Sequence, residues 1–308
     1  MRTPSKILVT GGAGFIGSHM VEQLVKEGYN VRVIDDLSSG KIENIQRLLS
    51  TGKVDLVIGD IRDASFVTKN VNDIDVVVHF AGVASVPFSF KNPELTFDIN
   101  LFGTLNLLRA CVEMDVSRFV FVSSCAVCGD PQSLPVREEH QTNPISPYAE
   151  SKLMAERYCI GFQQRQFLQA VVLRFFNVYG PRQGMNDYSG VITRFINRAK
   201  QMQSLTIYGD GSQTRDFVNV NDIVQALYAC LKSSSANGEL FNIGSGKPIS
   251  ITELAKTVLE LTGQNLEICY ELARAGDIKD SYADISKAKR LLSYEPKVTL
   301  RDGLRSLL

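Results

Sequence analysis

The feature that most constrains this chain is a glycine-rich segment near its start, T-G-G-A-G-F-I-G at residues 10–17. It contains both the G-x-G-x-x-G and the G-x-x-G-x-x-G spacing, carried by Gly11, Gly12, Gly14 and Gly17. An apolar run precedes the segment and an amphipathic run follows it, which predicts the order strand, turn, helix. Such a turn lets the backbone approach a pyrophosphate, and the N–H groups at the helix N-terminus face its negative charge. The segment therefore predicts a dinucleotide site.

The second predicted strand, Asn30–Ile34, ends in a pair of aspartates. Asp35 lies 23 residues after Gly12, close to the ~20-residue spacing of the acid that binds a ribose 2′-hydroxyl. A carboxylate at this position repels a 2′-phosphate. The sequence therefore favours NAD over NADP as the cofactor.

Composition limits the other classes of function. The 308 residues include 33 basic and 33 acidic side chains, so no net charge attracts nucleic acid or an anionic membrane. No apolar segment approaches the ~18 residues that a membrane span needs. The first predicted strand follows the N-terminus so closely that no signal peptide is expected, and we expect a cytoplasmic protein. The length suits one large α/β domain with a smaller lobe.

The six cysteines are scattered through apolar segments, as reduced and buried thiols would be. Cys125 and Cys128 form a C-x-x-C, but no second such pair and no clustered histidine accompanies it. A structural zinc site needs four ligands. We therefore predict no metal site.

Apolar strands alternate with helical periods through the first half of the chain, which is typical of a parallel sheet. We predict an α/β fold, a Rossmann-type doubly wound parallel sheet with a smaller C-terminal α/β lobe. Residues 1–176 and about 214–243 are assigned to the NAD-binding domain, and about 177–213 and 244–308 to the smaller lobe. Helices are predicted over 41–49, 93–113, 147–164 and 222–231, and a strand over 240–243 that returns to the main sheet.

A tyrosine and a lysine four residues apart, Tyr148 and Lys152, stand at the start of a predicted helix. This spacing places both side chains on one helix face. A neighbouring cation, helped by a positive nicotinamide ring, is expected to lower the tyrosine pKa below ~10. Tyr148 would then act as a general base for a substrate hydroxyl. Ser124 ends the preceding predicted strand and lies at the same edge of the sheet.

These residues belong to a set of motifs that resembles the extended short-chain dehydrogenase/reductase family along the whole chain, and within it the UDP-hexose 4-epimerases. The matching segments are T-G-G-A-G-F-I-G (10–17), D-D-L-S-S-G (35–40), G-D-I (59–61), H-F-A-G (79–82), S-S-C-A-V-C-G (123–129), P-Y-A-E-S-K (147–152), R-F-F-N-V-Y-G-P-R-Q (174–183), Y-G-D-G-S-Q-T-R-D-F (208–217) and R-A-G-D-I (274–278).

The resemblance implies roles for individual residues. The implied catalytic triad is Ser124, Tyr148 and Lys152. Besides Tyr148 and Lys152, the implied NAD-binding residues are Gly11, Gly14, Phe15, Ile16, Gly17, Asp35, Asp36, Ser38, Ser39, Gly40, Asp60, Ile61, Phe80, Ala81, Gly82, Asn100, Ser123 and Phe175. Besides Ser124, the implied contacts to a UDP-sugar are Ser85, Val86, Asn177, Val191, Tyr208, Arg215, Arg274, Asp277 and Ser281. The arginines would hold the diphosphate, because phosphate oxygens accept charge-assisted hydrogen bonds.

The chain departs from the family pattern at three positions in two of these motifs. Cys125 stands where a third serine is frequent, Cys128 where a tyrosine is frequent, and Phe175 where a tyrosine often lies beside the nicotinamide. None of these changes removes a member of the triad.

The implied reaction is NAD-dependent 4-epimerisation of UDP-glucose and UDP-galactose through a transient 4-keto sugar. Related dehydratases carry Asp-Glu directly after the catalytic Ser or Thr, and the decarboxylases usually carry an acid there. This chain carries Cys125 and Ala126, which disfavours both reactions. The alternatives are UDP-glucuronate 4-epimerisation, another NAD-dependent modification of a sugar nucleotide, and a non-enzymatic NAD sensor. The resemblance also implies a homodimer formed through the helices of residues 101–113 and 148–164.

Ser281 bears on the choice of sugar. Epimerases restricted to glucose and galactose resemble one another in carrying tyrosine at this position, whereas those that accept N-acetylhexosamines carry a small residue. A phenol beside the sugar C2 would block an N-acetyl group, while serine leaves room. We therefore expect turnover of UDP-GlcNAc and UDP-GalNAc as well. The alternative is a surface-loop serine without a role.

Overall fold

The computed structural model describes residues 6–184, 190–273 and 277–308. Its strands follow one another along the chain as β1 (Lys6–Thr10), β2 (Asn30–Asp35), β3 (Val54–Ile58), β4 (Val76–His79), β5 (Arg118–Ser124), β6 (Ala170–Phe175), β7 (Asn177–Tyr179), β8 (Leu205–Tyr208), β9 (Thr214–Asn219), β10 (Leu240–Ile243), β11 (Pro248–Ser250), β12 (Ile268–Glu271) and β13 (Asp280–Ser281).

The helices alternate with the strands in the first half of the chain. They are α1 (Phe15–Lys26), α2 (Gln46–Leu49), α3 (Ala64–Val71), α4 (Val86–Lys91), α5 (Pro93–Phe97), α6 (Gly103–Glu113), α7 (Pro147–Gln164), α8 (Val191–Lys200), α9 (Val220–Lys232), α10 (Ile251–Thr262), α11 (Ser286–Leu292) and α12 (Leu300–Arg305). A π-helical turn, Asp98–Phe102, joins α5 to α6, and 3₁₀ turns cover Ile42–Asn44, Cys125–Cys128 and Ser234–Ala236.

The central sheet has seven parallel strands in the order β10-β6-β5-β4-β1-β2-β3. Both of its faces are covered, because alternate residues of one strand enter opposite apolar clusters: Val76 and Val78 enter one, and Val77 enters the other. The strand order reverses between β1 and β4, where ligands of such sheets bind outside the carboxyl ends of the strands. The predicted doubly wound fold is confirmed, and so is the return of the strand at 240–243 to this sheet.

The smaller lobe is built around a second sheet. In it, β9 pairs with β7, β11 and β13, while β8 pairs separately with β12. Helices α8 and α10 pack on these strands through an apolar cluster that includes Phe195, Leu205 and Leu254. The segment expected to begin near residue 214 starts with β9, which pairs in the second sheet, whereas α9, β10 and α11 pack in or on the first. The division into two lobes remains our proposal.

Two predicted helices are interrupted, one beside the glycine turn and one at the π turn. The helix expected over 41–49 breaks at Ile45, since the Lys41 N–H and the Asn44 side chain both donate to the Ala13 carbonyl of the glycine turn. The helix expected over 93–113 contains the π turn, in which the Gly103 N–H bonds to the Asp98 carbonyl. Such a turn leaves no signal in the apolar periodicity. Among the described helices, none is both long and apolar enough to cross a bilayer.

Candidate active site

The glycine turn between β1 and α1 is as tight as the motif predicts. Gly11 has a positive φ of 68° and packs against the Ala81 backbone, where an added Cβ would lie 2.8 Å from the Ala81 nitrogen. A Cβ on Gly17 would lie 2.1 Å from the Gly11 carbonyl oxygen. No side chain caps the N-terminus of α1, whose N-cap is Gly14. The N–H groups of that first turn are therefore available to an anionic group, which fits a pyrophosphate.

Asp35 ends β2 beside this turn. Its carboxylate oxygens accept hydrogen bonds from the Ala13 N–H and the Leu37 N–H, both at 2.9 Å. Burial raises the pKa of Asp35, while these two bonds act in the opposite direction. A Cβ on Gly40 would lie 2.6 Å from the carboxylate, so only glycine fits there. A carboxylate has about four acceptor positions, which leaves capacity for a ribose hydroxyl.

The neighbouring predicted NAD-binding residues lie along the same edge of the sheet. The exposed Asp36 carboxylate accepts from the Ser38 backbone and hydroxyl, and Ser39 follows in the same loop. Asp60, just beyond β3, pairs with Arg62 at 2.5 Å, and the hydrogen bond from that guanidinium lowers the pKa of Asp60. The remaining members follow β3, open α1 or follow β4, and are Ile61, Phe15, Ile16, Phe80 and Ala81.

Asn100 lies inside the π turn and is almost fully buried. Its Oδ1 accepts from the Val83 N–H at 2.7 Å, and its Nδ2 donates to the Val83 carbonyl and to the Ser151 hydroxyl, both at 3.0 Å. A Cβ on Gly82 would lie 2.8 Å from that Oδ1. Asn100 therefore joins the loop after β4 to α7, the helix that carries Tyr148 and Lys152. The sequence does not reveal this role.

The three predicted catalytic residues come together at the carboxyl ends of β5 and β6. Ser124 ends β5, and its hydroxyl accepts from the Ala126 N–H at 3.2 Å and hydrogen-bonds Tyr148. Tyr148 and Lys152 lie one turn apart in α7, whose N-cap Ser146 accepts from the Ala149 N–H. Lys152 is 6% exposed, and its ammonium donates to the Val122 carbonyl at 2.8 Å. Phe175 lies beside Ser124 in the sheet register.

The expectation for the Tyr148 pKa is wrong in its direction. Burial raises the pKa of Tyr148 to about 12, against which the hydrogen bond with Ser124 acts weakly. Burial also lowers the pKa of Lys152 to about 8. The Lys152 ammonium donates to the Val122 carbonyl and lies 4.8 Å from the centre of the Phe121 ring, so its immediate surroundings are in the protein interior. In the protein alone, desolvation of the phenol therefore determines the direction of the Tyr148 pKa shift.

Ser123 departs from its predicted role. Neighbouring strand residues face opposite sides, so its hydroxyl points away from the Ser124 side and donates to Glu156 at 2.8 Å. Glu156 also pairs with Arg174 at 2.5 and 3.1 Å, and both side chains are at most 4% exposed. This cluster ties α7 to β5 and β6 directly behind the triad. Its hint in the sequence is a glutamate four residues after Lys152 in the same helix.

The predicted substrate residues that the structure describes include a cluster on the smaller lobe. Arg215 in β9 is opposite Ser281 in β13, and Ser281 is 8% exposed. Burial lowers the pKa of Arg215, while Asp277 and the Cys125 thiol act in the opposite direction. Cys125 also acts electrostatically on Tyr148, so this cluster adjoins the triad. The alternative of a surface-loop position for Ser281 is not supported.

Other predicted substrate residues are spread around the rim. Ser85 is the N-cap of α4 and accepts from the Phe88 N–H, and Val86 begins that helix with its side chain exposed. Asn177 begins β7 and Val191 begins α8. Tyr208 ends β8 and lines a groove of about 960 Å³ together with Tyr270, Leu272 and their neighbours. Arg274 lies outside the described residues.

Asp216 supports this cluster and was not predicted. It follows Arg215 in β9 and is fully buried. Its carboxylate accepts from the backbone and hydroxyl of Ser245 at 2.7 and 2.6 Å, from the Gly246 N–H at 2.9 Å and from the Ala283 N–H at 3.1 Å. Burial raises its pKa, and all four bonds oppose that change. The carboxylate thereby fixes β9 against the segments on either side of it.

Within the described ranges, no three His, Cys, Asp or Glu side chains are grouped so that they could hold a metal ion. The six cysteines are free thiols, four of them buried. Burial raises the pKa of Cys125 to about 12, which makes its thiolate scarce.

The comparison with protein families decides what kind of site this is. The family model described as GDP-mannose 4,6 dehydratase matches residues 8–307. The chain belongs to this family. The resemblance to extended short-chain dehydrogenases/reductases is thereby confirmed.

Among curated relatives of this chain, the putative UDP-glucose 4-epimerase of Methanocaldococcus jannaschii is 40% identical over 98% of this chain and 97% of its own length. UDP-glucuronic acid decarboxylase 1 of Xenopus tropicalis is 35% identical over 98% of this chain and 71% of its own length. This chain is thus related both to UDP-sugar epimerases and to UDP-sugar decarboxylases.

Two solved structures extend the comparison. The UDP-N-acetylglucosamine 4-epimerase of Methanobrevibacter ruminantium, in complex with UDP-N-acetylmuramic acid, has a TM-score of 0.93 and 36% identity over 98% of this chain and 96% of that one. The UDP-glucuronic acid 4-epimerase of Bacillus cereus, in complex with UDP-glucuronic acid and NAD, has a TM-score of 0.91 and 35% identity over 98% and 97%. The Rossmann-type fold is confirmed, and so is NAD as a cofactor of this family. The sugar differs from one neighbour to the next.

Proposed function

We propose that the protein is an NAD-dependent UDP-hexose 4-epimerase. The observation that carries the proposal is the grouping of Ser124, Tyr148 and Lys152 at the carboxyl end of β5. The two residues that follow Ser124 are Cys125 and Ala126 rather than acids. Related dehydratases carry acids at these two positions and related decarboxylases usually carry one there, which disfavours dehydration and decarboxylation. Epimerisation at C4 needs only one base and one hydrogen-bond donor.

When bound, NAD supplies a reversible hydride acceptor next to the sugar C4. The turn formed by Gly11, Gly14 and Gly17 would hold its pyrophosphate, and Asp35 a ribose hydroxyl. Tyr148 takes the proton of the sugar 4-hydroxyl, and Ser124 hydrogen-bonds the 4-oxygen. Arg215 holds the diphosphate while the 4-keto sugar rotates. Once the rotated sugar has regained the hydride on the other face of C4, Tyr148 would return the proton to the 4-oxygen, so that no net redox change remains.

The test is to incubate the purified protein with UDP-glucose, UDP-galactose, UDP-GlcNAc, UDP-GalNAc and UDP-glucuronate and to separate the products by chromatography. We expect UDP-glucose and UDP-GlcNAc to give UDP-galactose and UDP-GalNAc without net redox change. We also expect acid to release NAD(H) rather than NADP(H) from the protein. Formation of a pentose nucleotide from UDP-glucuronate would instead establish the decarboxylase, and epimerisation of UDP-glucuronate alone the glucuronate epimerase.

Ser281→Tyr should lower turnover of UDP-GlcNAc by more than about 10²-fold, since a phenol in the place of a buried hydroxyl removes room beside the sugar. Turnover of UDP-galactose should stay within about threefold. The measurement is kcat/KM for both substrates, with Ser281→Ala as the control that keeps the position small. A parallel loss of both activities, or a wild type that leaves UDP-GlcNAc untouched, would contradict a role of Ser281 in selecting the sugar.

We also propose a homodimer formed through α6 and α7. Its support is that both helices leave large apolar side chains exposed, Val112 on α6 and Tyr158 on α7, with Phe102 in the π turn before α6. Exposed apolar patches of this kind mark interaction surfaces.

A further inference from the structure

A buried histidine lies between the cofactor strands and the catalytic helix, and the proposed reaction does not use it. His79 ends β4 and is 1% exposed. Its Nδ1 lies 2.6 Å from the Thr10 hydroxyl, and its Nε2 lies 2.9 Å from the Thr104 hydroxyl. Both ring nitrogens therefore have partners, one in β1 and one in α6.

The hydrogen bonds around His79 determine where its proton lies. The Thr104 hydroxyl donates its single hydrogen to the Asn100 carbonyl at 2.6 Å, so it must accept from His79. Nε2 therefore carries the hydrogen. Nδ1 of the neutral ring then accepts from the Thr10 hydroxyl, whose oxygen in turn accepts from the Ala81 N–H at 3.3 Å. Each of these four hydrogen-bond donors, from the Ala81 N–H to the Thr104 hydroxyl, therefore has one acceptor.

The surroundings of the ring favour the neutral form. The rings of Phe119 and Phe121 lie 5.7 and 5.8 Å from its centre. Burial lowers the pKa of His79 well below its usual range, and the charge of Lys152 lowers it further. A neutral ring with a fixed tautomer is a rigid connector, because it can donate and accept in only one direction.

The path continues from Asn100 to the catalytic helix. The Asn100 side chain donates to the Ser151 hydroxyl at 3.0 Å, and that hydroxyl donates to the Tyr148 carbonyl at 2.8 Å. A series of hydrogen bonds thus runs from the end of β1, through His79 and the Asn100 residue of the π turn, to the Tyr148 backbone, and it is buried as far as the Ser151 hydroxyl.

We propose that His79, as the neutral Nε2–H tautomer, is a positioning residue that sets the π turn at Asn100 and through it the place of Tyr148. The proposal rests on the proposed function for its effect on turnover. It predicts that the donor on the Thr104 side matters more than the acceptor on the Thr10 side, because only Thr104 leads to Asn100.

Two substitutions separate these sides. In His79→Gln the amide nitrogen can replace Nε2 and donate to Thr104, whereas in His79→Asn the shorter amide can replace only the acceptor Nδ1. We expect His79→Asn to lower kcat by about 10²-fold with KM nearly unchanged, as misplacement of reacting groups does. His79→Gln should stay within about tenfold of wild type. Equal kcat values in the two variants, or losses that follow only the melting temperature, would overturn the proposal.

Thr104 provides a milder pair in case the histidine variants do not fold. Thr104→Val removes the hydroxyl at nearly constant shape, and Thr104→Ser retains it. We expect kcat to fall in the valine variant by about the same factor as in His79→Asn, and to be rescued in the serine variant. A fully active Thr104→Val would refute the connection through Asn100.

Nitrogen NMR of the histidines tests the proposal without any turnover. The chain has only three histidines, so selective labelling gives an assignable spectrum. Wild-type His79 should show a bare Nδ1 and a protonated Nε2 at every pH from about 6 to 8, and Thr104→Val should change that state. An Nδ1–H tautomer or a titrating ring would refute the proposal. A wild type that turns over no UDP-sugar would refute the proposed function instead, and this spectrum would still decide the role of His79.

Discussion

Replacing Tyr148 with phenylalanine should lower kcat by about 10²–10⁴-fold, the usual cost of losing a general base. The phenol lies beside Ser124 and one helical turn from Lys152, so its removal takes away the group that we propose as the acceptor of the sugar 4-hydroxyl proton. The fold and the bound NAD should be unchanged, because the ring remains. Steady-state kinetics on the preferred UDP-sugar, together with the nucleotide released by acid, provide the measurement.

Tyr228→Phe is the matched control, since it removes a phenol hydroxyl on α9 that hydrogen-bonds the Glu27 carboxylate at an exposed position. It should keep wild-type activity. The pH dependence gives a second readout. Because burial raises the pKa of Tyr148, little phenolate is present at neutral pH, and wild-type kcat/KM should rise with pH on the alkaline side. Near-normal kcat in Tyr148→Phe, or the same rise in that variant, would mean that another group takes the proton.

Glu156→Ala should destabilise the protein by about 3–5 kcal/mol, the usual result of removing one partner of a buried ion pair. Arg174 would remain buried, with the Glu138 carbonyl at 3.0 Å as its nearest oxygen acceptor. Ser123 would lose its acceptor as well. Denaturant unfolding of wild type and variant, with the midpoint and slope compared, measures the effect.

Two further variants show whether burial is the cause. Glu260→Ala breaks the pair between Glu260 and Arg301, which are 61% and 52% exposed, and should change stability by less than about 1 kcal/mol. The double variant Glu156→Leu/Arg174→Met should recover part of the loss, because it leaves no unpaired charge. If Glu156→Ala costs no more than Glu260→Ala, the cluster does not hold α7 in place.

The residues that could be predicted from the sequence are those whose chemistry depends on local spacing. The glycine turn and the Tyr148–Lys152 pair each lie within one turn or helix, so their arrangement follows from a few consecutive residues. The strand at 240–243 was placed in the central sheet from its apolar pattern, and its parallel pairing with β6 confirms this.

The rest depends on contacts between residues far apart in the chain. Glu156, Asp216 and His79 look like ordinary polar residues until the fold surrounds them, and their partners lie between 18 and 69 residues away. The direction of the Tyr148 pKa shift was missed for the same reason. The spacing places a cation nearby, but only the packed site shows how far the phenol is removed from water and that the Val122 carbonyl occupies the ammonium.

The four hydrogen bonds to Asp216 determine which side chain can stand there. Each of its two oxygens accepts from two donors, so the position demands an acceptor at both ends of the side chain. Asparagine has the same shape but only one acceptor oxygen, so in either orientation at least one of the three backbone N–H groups would lose its acceptor and face the NH₂ group. Two acceptor oxygens, rather than shape alone, are therefore what this position in β9 requires, because they join the strand that carries Arg215 to the Ser245–Gly246 turn and to Ala283.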